Sequence, residues 1–422
     1  VNLVLSIKAN IPKVKQFICL DAYDADIAQI FPDLQFYDDL IEHQSMQFTW
    51  PKLDENTASS LCYTSGTTGN PKGVLYSHRS TVLHSYASSL PDSFNLSAND
   101  RVLPVVPMFH VNAWGTPYAA AMVGASLVLP GPMLDGASLV NLIDDYQVTA
   151  ALGVPTIWQG LLNAAQQLGS QLSSLKRNVV GGAACPPSMI KTFKEQYQCE
   201  TIHAWGMTET SPMGVVNQLK AKHEKLDEAT QFQLRRSQGR PPFGVQLRVC
   251  EEEKGTVELE RDGHSTGHLQ IKGHWIVDTY FAQDQSALTA DGWFDTGDIA
   301  TLDEDGYLNI ADRAKDLIKS GGEWISSVEL ENIAIAHPEI DTVAVIAAHH
   351  PRWDERPILI AKKSPHSQVT ESQILDYYNE KIAKWQIPDK VIFVDSIPVG
   401  GTGKILKKDL REMYGSVLLG TA

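Results

Sequence analysis

The sequence predicts an α/β fold in which a large N-terminal domain of parallel-sheet α/β layers, with a small β-barrel subdomain, precedes a small α+β C-terminal domain. Three changes of pattern predict it. From Tyr63 to about His203, apolar runs of strand length alternate with amphipathic stretches of helix length. After Gly239, glycines and charged residues separate short β-branched runs. After Asp312, helix and strand patterns fill roughly a hundred further residues, an ordinary domain size.

The first region has apolar runs typical of buried strands, at Val102–Val106, Ser126–Leu129, Thr149–Val154 and Asn178–Val180. Amphipathic helices are predicted between and after them, over Asp135–Asp145, Thr156–Leu168 and Pro186–Gln196. Pro155 and Pro186 stand near helix starts, where a missing backbone N–H costs little. This alternation predicts a largely parallel sheet with helices against it.

The later regions predict smaller elements. Short antiparallel strands are predicted at Val245–Val249, Gly255–Leu259, Gly267–Ile271 and Tyr307–Ala311. The C-terminal region predicts helices over Ser327–Ala336 and Ser372–Ala383, and strands over Thr342–Ala348 and Pro357–Lys363. The charged, helix-like segment Lys220–Arg236 predicts a solvated peripheral insertion.

Composition excludes several classes of function. A formal net charge of −15 over 422 residues argues against coating nucleic acid or binding membranes through a polybasic surface. Five scattered cysteines without a Cys-x-x-Cys pair are typical of reduced thiols and imply neither disulfides nor zinc. No apolar run reaches the roughly 20 residues of a membrane span, so we expect a cytoplasmic protein of two or three domains. Val1 is not an initiator methionine, so we also expect an N-terminally truncated first domain.

Small polar residues are concentrated between Tyr63 and Gly73. The segment reads Tyr-Thr-Ser-Gly-Thr-Thr-Gly-Asn-Pro-Lys-Gly and carries four serine and threonine hydroxyls, three glycines and one lysine. Hydroxyls, bare backbone N–H groups and a cation are what a polyphosphate needs around it. A Walker P-loop is excluded, because Pro71 stands at its second glycine position and Gly73 follows Lys72. A plain Ser/Thr/Gly turn is the alternative, which the lysine and the density of hydroxyls disfavour.

Together with this loop, six more segments resemble, in order and approximate spacing, the motifs of the adenylate-forming superfamily. They are Pro107–Gly115, Gly181–Pro186, His203–Thr210, Gly292–Asp298, Asp312–Ile325 and Pro398–Ile405. The resemblance covers nearly the whole chain from Leu61 onward and is strongest to medium- and long-chain fatty-acid–CoA ligases and methylmercaptopropionate–CoA ligases. It implies an AMP-binding domain over residues 1–312, incomplete at its start, and a mobile C-terminal lid domain over residues 313–422.

The resemblance implies a nucleotide site built from several of these segments. The implied ATP- and AMP-binding residues are Thr64, Ser65, Gly66, Thr67, Thr68, Lys72, Gly181, Gly182, Ala183, His203, Ala204, Trp205, Thr208, Asp298 and Arg313. The implied catalytic residues are Lys404, Glu209, Thr208 and His110. Glu209 is the implied Mg²⁺ ligand, since that ion prefers hard carboxylate oxygen. Asp298 is expected to accept from both ribose hydroxyls, and Trp205 stands where the family commonly has tyrosine.

The resemblance also implies a hinge, a thiol channel and an acyl pocket. Lys315 falls at the hinge position. The residues implied for the pantetheine arm of coenzyme A are Lys319, Gly321, Gly322, Glu323 and Trp324. The acyl-pocket candidates are Trp114, Val111, Gly182, Trp205 and Pro212. Most of these are apolar and none offers a charge for a second carboxylate, which favours an aliphatic monocarboxylic acid.

The implied activity is that of an ATP-dependent acyl-CoA synthetase. A medium- or long-chain fatty acid is converted through acyl-AMP to an acyl-CoA thioester, with ATP, Mg²⁺ and coenzyme A as the other participants. Neither a nucleic-acid partner nor a transmembrane segment is expected, and a homo-oligomer is left open. Three alternatives stay open at this stage: a short-chain thioether acid as substrate, a catalytically silent nucleotide-binding fragment, and a carrier-protein ligase or luciferase-like oxygenase.

Overall fold

The computed structural model describes residues 1–64 and 70–419, and the chain divides into two compact units, residues 1–54 and 55–422. The first unit holds α1 Asn2–Ile7, a 3₁₀-helical turn Lys8–Asn10, β1 Phe17–Cys19, α2 Ala25–Ile30, β2 Leu34–Phe36 and α3 Tyr37–Ile41. Strands β1 and β2 pair in parallel. Asp24 begins α2, because its side chain accepts from the backbone N–H groups of Asp26 and Ile27.

An antiparallel hairpin in the second unit flanks the hydroxyl-rich loop. It consists of β3 Ala58–Tyr63 and β4 Gly73–Ser77, and α4 His78–Ser89 follows it. The Thr64 N–H donates to the Lys72 carbonyl at 2.8 Å, and the Lys72 N–H donates to Thr64 Oγ1 at 3.0 Å. These two bonds close the base of the loop. The predicted loop ligands that lie outside the described residues are Ser65, Gly66, Thr67 and Thr68.

A mixed sheet surrounded by helices forms the centre of this unit. Its elements are β5 Arg101–Pro104, α5 Val111–Trp114, α6 Thr116–Val123, β6 Ser126–Leu127, α7 Gly136–Asp145, β7 Ala150–Gly153, α8 Pro155–Leu168, β8 Arg177–Val180, α9 Pro187–Tyr197, β9 Glu200–Gly206 and β10 Met213–Val216. The strand order is β10-β9-β8-β7-β5-β6, and every pair is parallel except β10 with β9. The predicted parallel α/β layers are confirmed.

Burial explains why these segments form layers. Strand β7 is buried along its length, as a parallel strand covered on both faces must be. Helix α8 buries one face, with Trp158, Leu161 and Ala165 fully enclosed while Gln166 is exposed. The carboxyl ends of the parallel strands open at one edge of the sheet, which is where ligands bind in open α/β sheets.

A second sheet follows, built from β11 Val245–Cys250, β12 Gly267–Gly273, β13 Phe294–Leu302 and β14 Leu308–Arg313, which pair antiparallel in that order. The predicted strand Gly255–Leu259 is wrong, because that segment makes only an isolated bridge between Glu258 and Cys250. The predicted barrel is not confirmed, since the described strands form a sheet in simple order.

The charged insertion between the two sheets is helical, as predicted. It forms a 3₁₀-helical turn Ala221–Lys225 and α10 Glu228–Arg236. It is not wholly peripheral, however, because His223 is buried and its Nε2 lies 3.1 Å from Asp305 Oδ2.

The C-terminal elements form a sheet of their own. They are β15 Ile318–Ser320, β16 Glu323–Ile325, α11 Ser327–Ile335, β17 Ile340–His350, β18 Asp354–Lys363, α12 Glu371–Tyr377, a 3₁₀-helical turn Lys384–Gln386, β19 Lys390–Phe393 and α13 Lys407–Tyr414. The order is β16-β15-β18-β17, with β19 parallel to β18. The helix predicted over Ser372–Ala383 is too long, because the fully buried Tyr378 donates its hydroxyl to the Leu330 carbonyl where α12 ends. None of the helices within residues 1–64 and 70–419 has the length and apolarity to cross a bilayer.

Candidate active site

A cavity of about 1500 Å³ opens at the carboxyl edge of the parallel strands. Its wall brings together segments that are far apart in the sequence. The predicted site residues that line it are Thr64, Lys72, His110, Val111, Trp114, Gly181, Gly182, Ala183, His203, Ala204, Trp205, Thr208, Glu209, Pro212, Asp298, Arg313, Lys315 and Lys404. The volume and the glycine-lined backbone suit a nucleotide.

Lys72 and Glu209 are joined by Tyr280, a residue that sequence reasoning missed. The Tyr280 hydroxyl donates to Glu209 Oε1 at 2.8 Å, and the Lys72 Nζ lies 4.8 Å from the centre of the Tyr280 ring. Burial, followed by the charge of Glu209, raises the pKa of Tyr280, so the phenol stays a donor. Nothing in the local sequence marks Tyr280, because its partners lie far away along the chain.

The residues around Glu209 fit a magnesium–nucleotide complex. Glu209 is buried and lines the cavity, and one of its carboxylate oxygens is held by Tyr280. The described residues contain no group of three or more His, Cys, Asp or Glu side chains that could hold a metal alone. Mg²⁺ commonly binds through one or two carboxylates together with substrate phosphates, and a lone carboxylate suits that mode.

The element α5, with Gly115 after it, is a left-handed turn that presents two residues predicted for the acyl pocket, Val111 and Trp114, to the cavity. Val111, Asn112, Ala113, Trp114 and Gly115 all have φ between 49° and 70°. A left-handed conformation costs roughly 1–2 kcal/mol per non-glycine residue, so neighbouring contacts must hold it. Asn112 supplies one such contact, since its Nδ2 donates to Ser60 Oγ at 2.9 Å. This turn could not be predicted from the sequence, because glycine is the residue that marks a left-handed conformation and only the last residue of the turn is glycine.

Lys404 enters the cavity on a short glycine-rich hairpin. The Gly400 N–H donates to the Lys404 carbonyl at 2.8 Å, and Thr156 Oγ1 donates to the Gly403 carbonyl at 3.0 Å. The side chain packs on Gly182, where a Cβ would lie 3.2 Å from Lys404 Cε. Burial and the nearby Arg313 lower the pKa of Lys404 to about 8. The amine therefore remains mostly cationic at neutral pH.

The side chains of His110 and His203 are both uncharged at neutral pH, but they lie in different surroundings. Burial, followed by the charge of Lys404, lowers the pKa of His110 to about 4. Burial also lowers the pKa of His203 to about 4. His203 Nε2 accepts from the Cys185 N–H at 3.3 Å, and Nδ1 lies 3.1 Å from the Arg236 carbonyl. His203 thus supports the backbone of the Gly181–Cys185 segment, and a direct contact with nucleotide stays a prediction.

Asp298 is the most deeply buried carboxylate of the cavity wall. It is 1% exposed. Its Oδ1 lies 2.8 Å from Arg313 Nε, and its Oδ2 lies 2.9 Å from Trp205 Nε1. Burial raises the pKa of Asp298, and the guanidinium of Arg313 opposes that shift. The neighbouring cation and donor therefore favour the ionised form that a ribose hydroxyl can use.

The residues implied for the thiol channel lie outside the cavity wall. They form the β15–β16 hairpin, in which Gly321 and Gly322 have φ of 60° and 97° and Trp324 is 55% exposed. Lys319 Nζ lies 5.8 Å from the Trp324 ring. Glu323, the remaining residue of this set, is also exposed. In this conformation the structure brings Lys404, and not the β15–β16 hairpin, to the centre of the site.

A polar network that the sequence did not predict crosses the hinge position. Asp312 Oδ2 accepts from both the N–H and the hydroxyl of Ser327 at 2.6 Å. The Lys407 ammonium donates to Ser327 Oγ at 2.7 Å and pairs with Glu331 at 2.7 Å. Because Lys315, the predicted hinge residue, lies between Asp312 and Ser327 in the sequence, the network links the segments on both sides of that position.

These features together fit the site of a nucleotide-binding enzyme. The AMP-binding enzyme family model matches residues 2–281, and the model of the AMP-binding enzyme C-terminal domain matches residues 329–404. The chain belongs to the AMP-binding enzyme family. It is an acyl-CoA ligase that uses ATP, magnesium and coenzyme A, as the motifs predicted.

Individual relatives agree with this assignment. The chain is 58% identical over 418 residues to 3-methylmercaptopropionyl-CoA ligase of Ruegeria lacuscaerulensis, covering 99% of this chain and 77% of the relative. It is also 58% identical to medium-chain-fatty-acid–CoA ligase of Ectopseudomonas oleovorans, with 99% and 76% covered. The crystal structure of anthranilate CoA ligase AuaEII with anthranoyl-AMP superposes with a TM-score of 0.85 at 25% identity, covering 99% of this chain and 77% of that one. ATP-bound MatB of Rhodopseudomonas palustris shares the fold, with a TM-score of 0.80 at 24% identity. The match covers 98% of this chain and 82% of that one.

Proposed function

We propose that this ligase activates an aliphatic monocarboxylic acid, with a medium- or long-chain fatty acid as its principal substrate. The supporting observation is the apolar acyl side of the cavity, where Val111, Trp114, Pro212 and Met213 line the wall. A relative that is 58% identical is named for medium-chain fatty acids, and one that is 49% identical, from Thermus thermophilus, is named for long-chain fatty acids. Apolar walls stabilise an alkyl chain by about 0.8 kcal/mol for each buried CH₂.

A short thioether acid is the second candidate. It is supported by the relative named for 3-methylmercaptopropionyl-CoA and by the position of Trp114, whose ring closes against Gly181. A Cβ at residue 181 would lie 3.1 Å from that ring, so the indole occupies depth that a long chain would need.

A panel of acids separates the two candidates. Straight-chain acids of graded length and 3-methylmercaptopropionate are assayed for AMP release in the presence of coenzyme A. The fatty-acid proposal expects kcat/KM to rise several-fold with each added CH₂ up to the pocket length. A maximum at 3-methylmercaptopropionate, with a decline for acids of eight or more carbons, supports the second candidate and contradicts the first.

The first half-reaction is proposed to occur in the conformation described. The substrate carboxylate attacks the α-phosphorus of ATP, the bond to pyrophosphate breaks, and acyl-AMP forms. Lys404, Lys72 and the Thr64 hydroxyl offset the charge that develops on the phosphate oxygens, and bound Mg²⁺ supplies further charge neutralisation. Asp298 and Arg313 hold the ribose side of the nucleotide.

The second half-reaction is proposed to require rotation of residues 313–422 about Lys315. The thiol of coenzyme A attacks the acyl carbonyl and AMP leaves. Since the β15–β16 hairpin is away from the cavity while Lys404 is in it, both cannot serve the site in one conformation. Breaking the Asp312–Ser327 contact is part of this proposed rotation.

Replacing Trp324 with alanine is expected to impair only the second half-reaction. Trp324 is exposed and does not line the cavity, so acyl-AMP formation measured by ATP–pyrophosphate exchange stays within about twofold of wild type. Thioester formation from supplied acyl-AMP is expected to fall at least about tenfold, because a channel wall is lost. Trp385→Ala, which removes another exposed tryptophan of the C-terminal elements, controls for general damage. An equal loss of both half-reactions in Trp324→Ala contradicts the division of roles.

We also propose that the reaction takes place in the cytoplasm. The supporting observation is the state of the cysteines, which are all free: Cys19, Cys62, Cys185, Cys199 and Cys250. Free thiols persist most readily in a reducing compartment.

A further inference from the structure

The carboxylate of Asp298 is held by two protein groups and still has capacity for a ligand. Arg313 Nε lies 2.8 Å from Oδ1, and the Trp205 indole N–H donates to Oδ2 at 2.9 Å. An ionised carboxylate has about four acceptor directions, so two remain for the hydroxyls of a ribose. The two protein contacts therefore fix the orientation of the carboxylate without saturating it.

Trp205 is itself fixed by the strand pair that carries it. Trp205 pairs with Val215 across β9 and β10, and the register shifts between Met213 and Val215. Gly214 lies in that irregularity, and a Cβ there would come within 2.3 Å of Cζ3 of the Trp205 ring. The missing side chain at residue 214 thus makes the space that the indole fills. This packing determines where the indole N–H points.

We propose that Trp205 is a positioning residue for ribose recognition, in which the indole N–H, held by Gly214, aims the Asp298 carboxylate at the ribose hydroxyls of the nucleotide. This inference rests on the nucleotide site of the proposed function and adds a residue that acts through Asp298 and not on the reacting atoms. A phenyl ring at residue 205 preserves an aromatic wall but supplies no donor at this point.

The charged surroundings of Asp298 give the proposal a pH signature. Burial raises the pKa of Asp298, and Asp312 on the same strand as Arg313 raises it further. Arg313, the Trp205 hydrogen bond and Lys404 lower it. Loss of the indole donor therefore raises the pKa of Asp298. Because a protonated carboxyl is a poorer acceptor, the loss of nucleotide affinity on acidification begins at a higher pH in a variant without the indole.

Calorimetric titration of the full chain with AMP and with 2′,3′-dideoxy-AMP tests the proposal. Wild type is expected to prefer AMP, because only AMP offers both hydroxyls. Trp205→Phe is expected to bind AMP about tenfold more weakly, the cost of a hydrogen bond to a charged group, with the affinity for the dideoxy nucleotide nearly unchanged. Gly214→Ala, which displaces the ring but keeps its N–H, is expected to reduce the preference for AMP in the same way.

Trp158→Phe is the matched control for losing a buried indole. The Trp158 N–H donates to the Gly153 and Val179 carbonyls at 3.2 Å and 3.3 Å, away from the cavity wall. It is expected to lower the thermal midpoint and leave the AMP preference intact. The inference is overturned if both Trp205→Phe and Gly214→Ala keep the wild-type preference for AMP. It is also overturned if these variants bind AMP and the dideoxy nucleotide with equally reduced affinity. Failure of wild type to bind AMP contradicts the proposed nucleotide site instead. If Trp205→Phe does not fold, Gly214→Ala decides the question.

Discussion

Lys404→Ala is expected to lower the rate of acyl-AMP formation by about 100- to 1000-fold, the usual cost of removing one group that stabilises charge in a transition state. The expectation follows from the position of the ammonium in the cavity, beside Gly182 and near the charges of Arg313, Asp298 and Glu209. The measurement is ATP–pyrophosphate exchange with a saturating acid.

The same variant is expected to form thioester from supplied acyl-AMP at close to the wild-type rate. Lys404 is proposed to serve the attack on phosphorus, and by the time the thiol reacts, pyrophosphate has left. Lys191→Ala is a suitable control, because Lys191 is on helix α9 outside the cavity wall and forms an exposed surface pair with Glu195. Equal loss of both half-reactions in Lys404→Ala would refute the proposed division of labour.

The pH dependence of adenylation provides an independent check on Lys404. Its pKa is lowered to about 8, by burial first and by Arg313 second, so the free enzyme loses the cation as the pH rises through that value. We therefore expect kcat/KM for ATP in the adenylation half-reaction to decline above about pH 8. Lys404→Arg keeps its charge throughout this range and is expected to abolish the decline while retaining partial activity. A decline that persists in Lys404→Arg assigns the titration to another group.

Much of the parallel sheet could be predicted because its strands are covered on both faces. Residues 150–153, for example, are buried on both sides of the strand and must therefore all be apolar or small. Such a short apolar run between two helical patterns in the sequence indicates a buried strand. The same reasoning failed at Gly255–Leu259, whose β-branched residues suit a strand but find no continuous partner. Helix α12 ends early because Tyr378 is anchored to the Leu330 carbonyl, a tertiary contact that no local pattern encodes.

In the candidate site, too, residues in local sequence motifs were predicted, whereas residues defined by tertiary contacts were missed. Motifs indicated Lys404, Asp298 and Glu209 because each lies in a distinctive local segment. Tyr280 was missed because its role depends on a hydrogen bond to Glu209, which lies 71 residues away along the chain. The left-handed turn at Val111–Gly115 was missed for another reason. Four of its residues are not glycine, and only contacts such as that of Asn112 with Ser60 hold them in a disfavoured conformation.

Glu209→Gln is expected to lower acyl-AMP formation by about 100-fold and to leave it low even at high magnesium concentration. The substitution keeps an oxygen for the Tyr280 hydroxyl but removes the negative charge that Mg²⁺ needs. Because Glu209 is buried and faces the cavity, no nearby exposed carboxylate is expected to replace it. The measurement is the magnesium dependence of ATP–pyrophosphate exchange.

Tyr280→Phe separates the proposed metal ligand, Glu209, from the group that orients it. Removing the hydroxyl leaves the charge on Glu209 but frees its Oε1, and loss of such a supporting contact commonly costs 10- to 100-fold in metal affinity. We therefore expect about a tenfold higher magnesium concentration at half-maximal exchange, with the rate recovered at saturation. Tyr307→Phe removes an equally short hydroxyl contact, 2.7 Å to the Gln218 carbonyl, outside the cavity wall and is expected to leave the magnesium dependence unchanged. If Glu209→Gln retains the wild-type magnesium dependence, Glu209 is not the ligand, and the network through Tyr280 serves only to hold the wall of the site together.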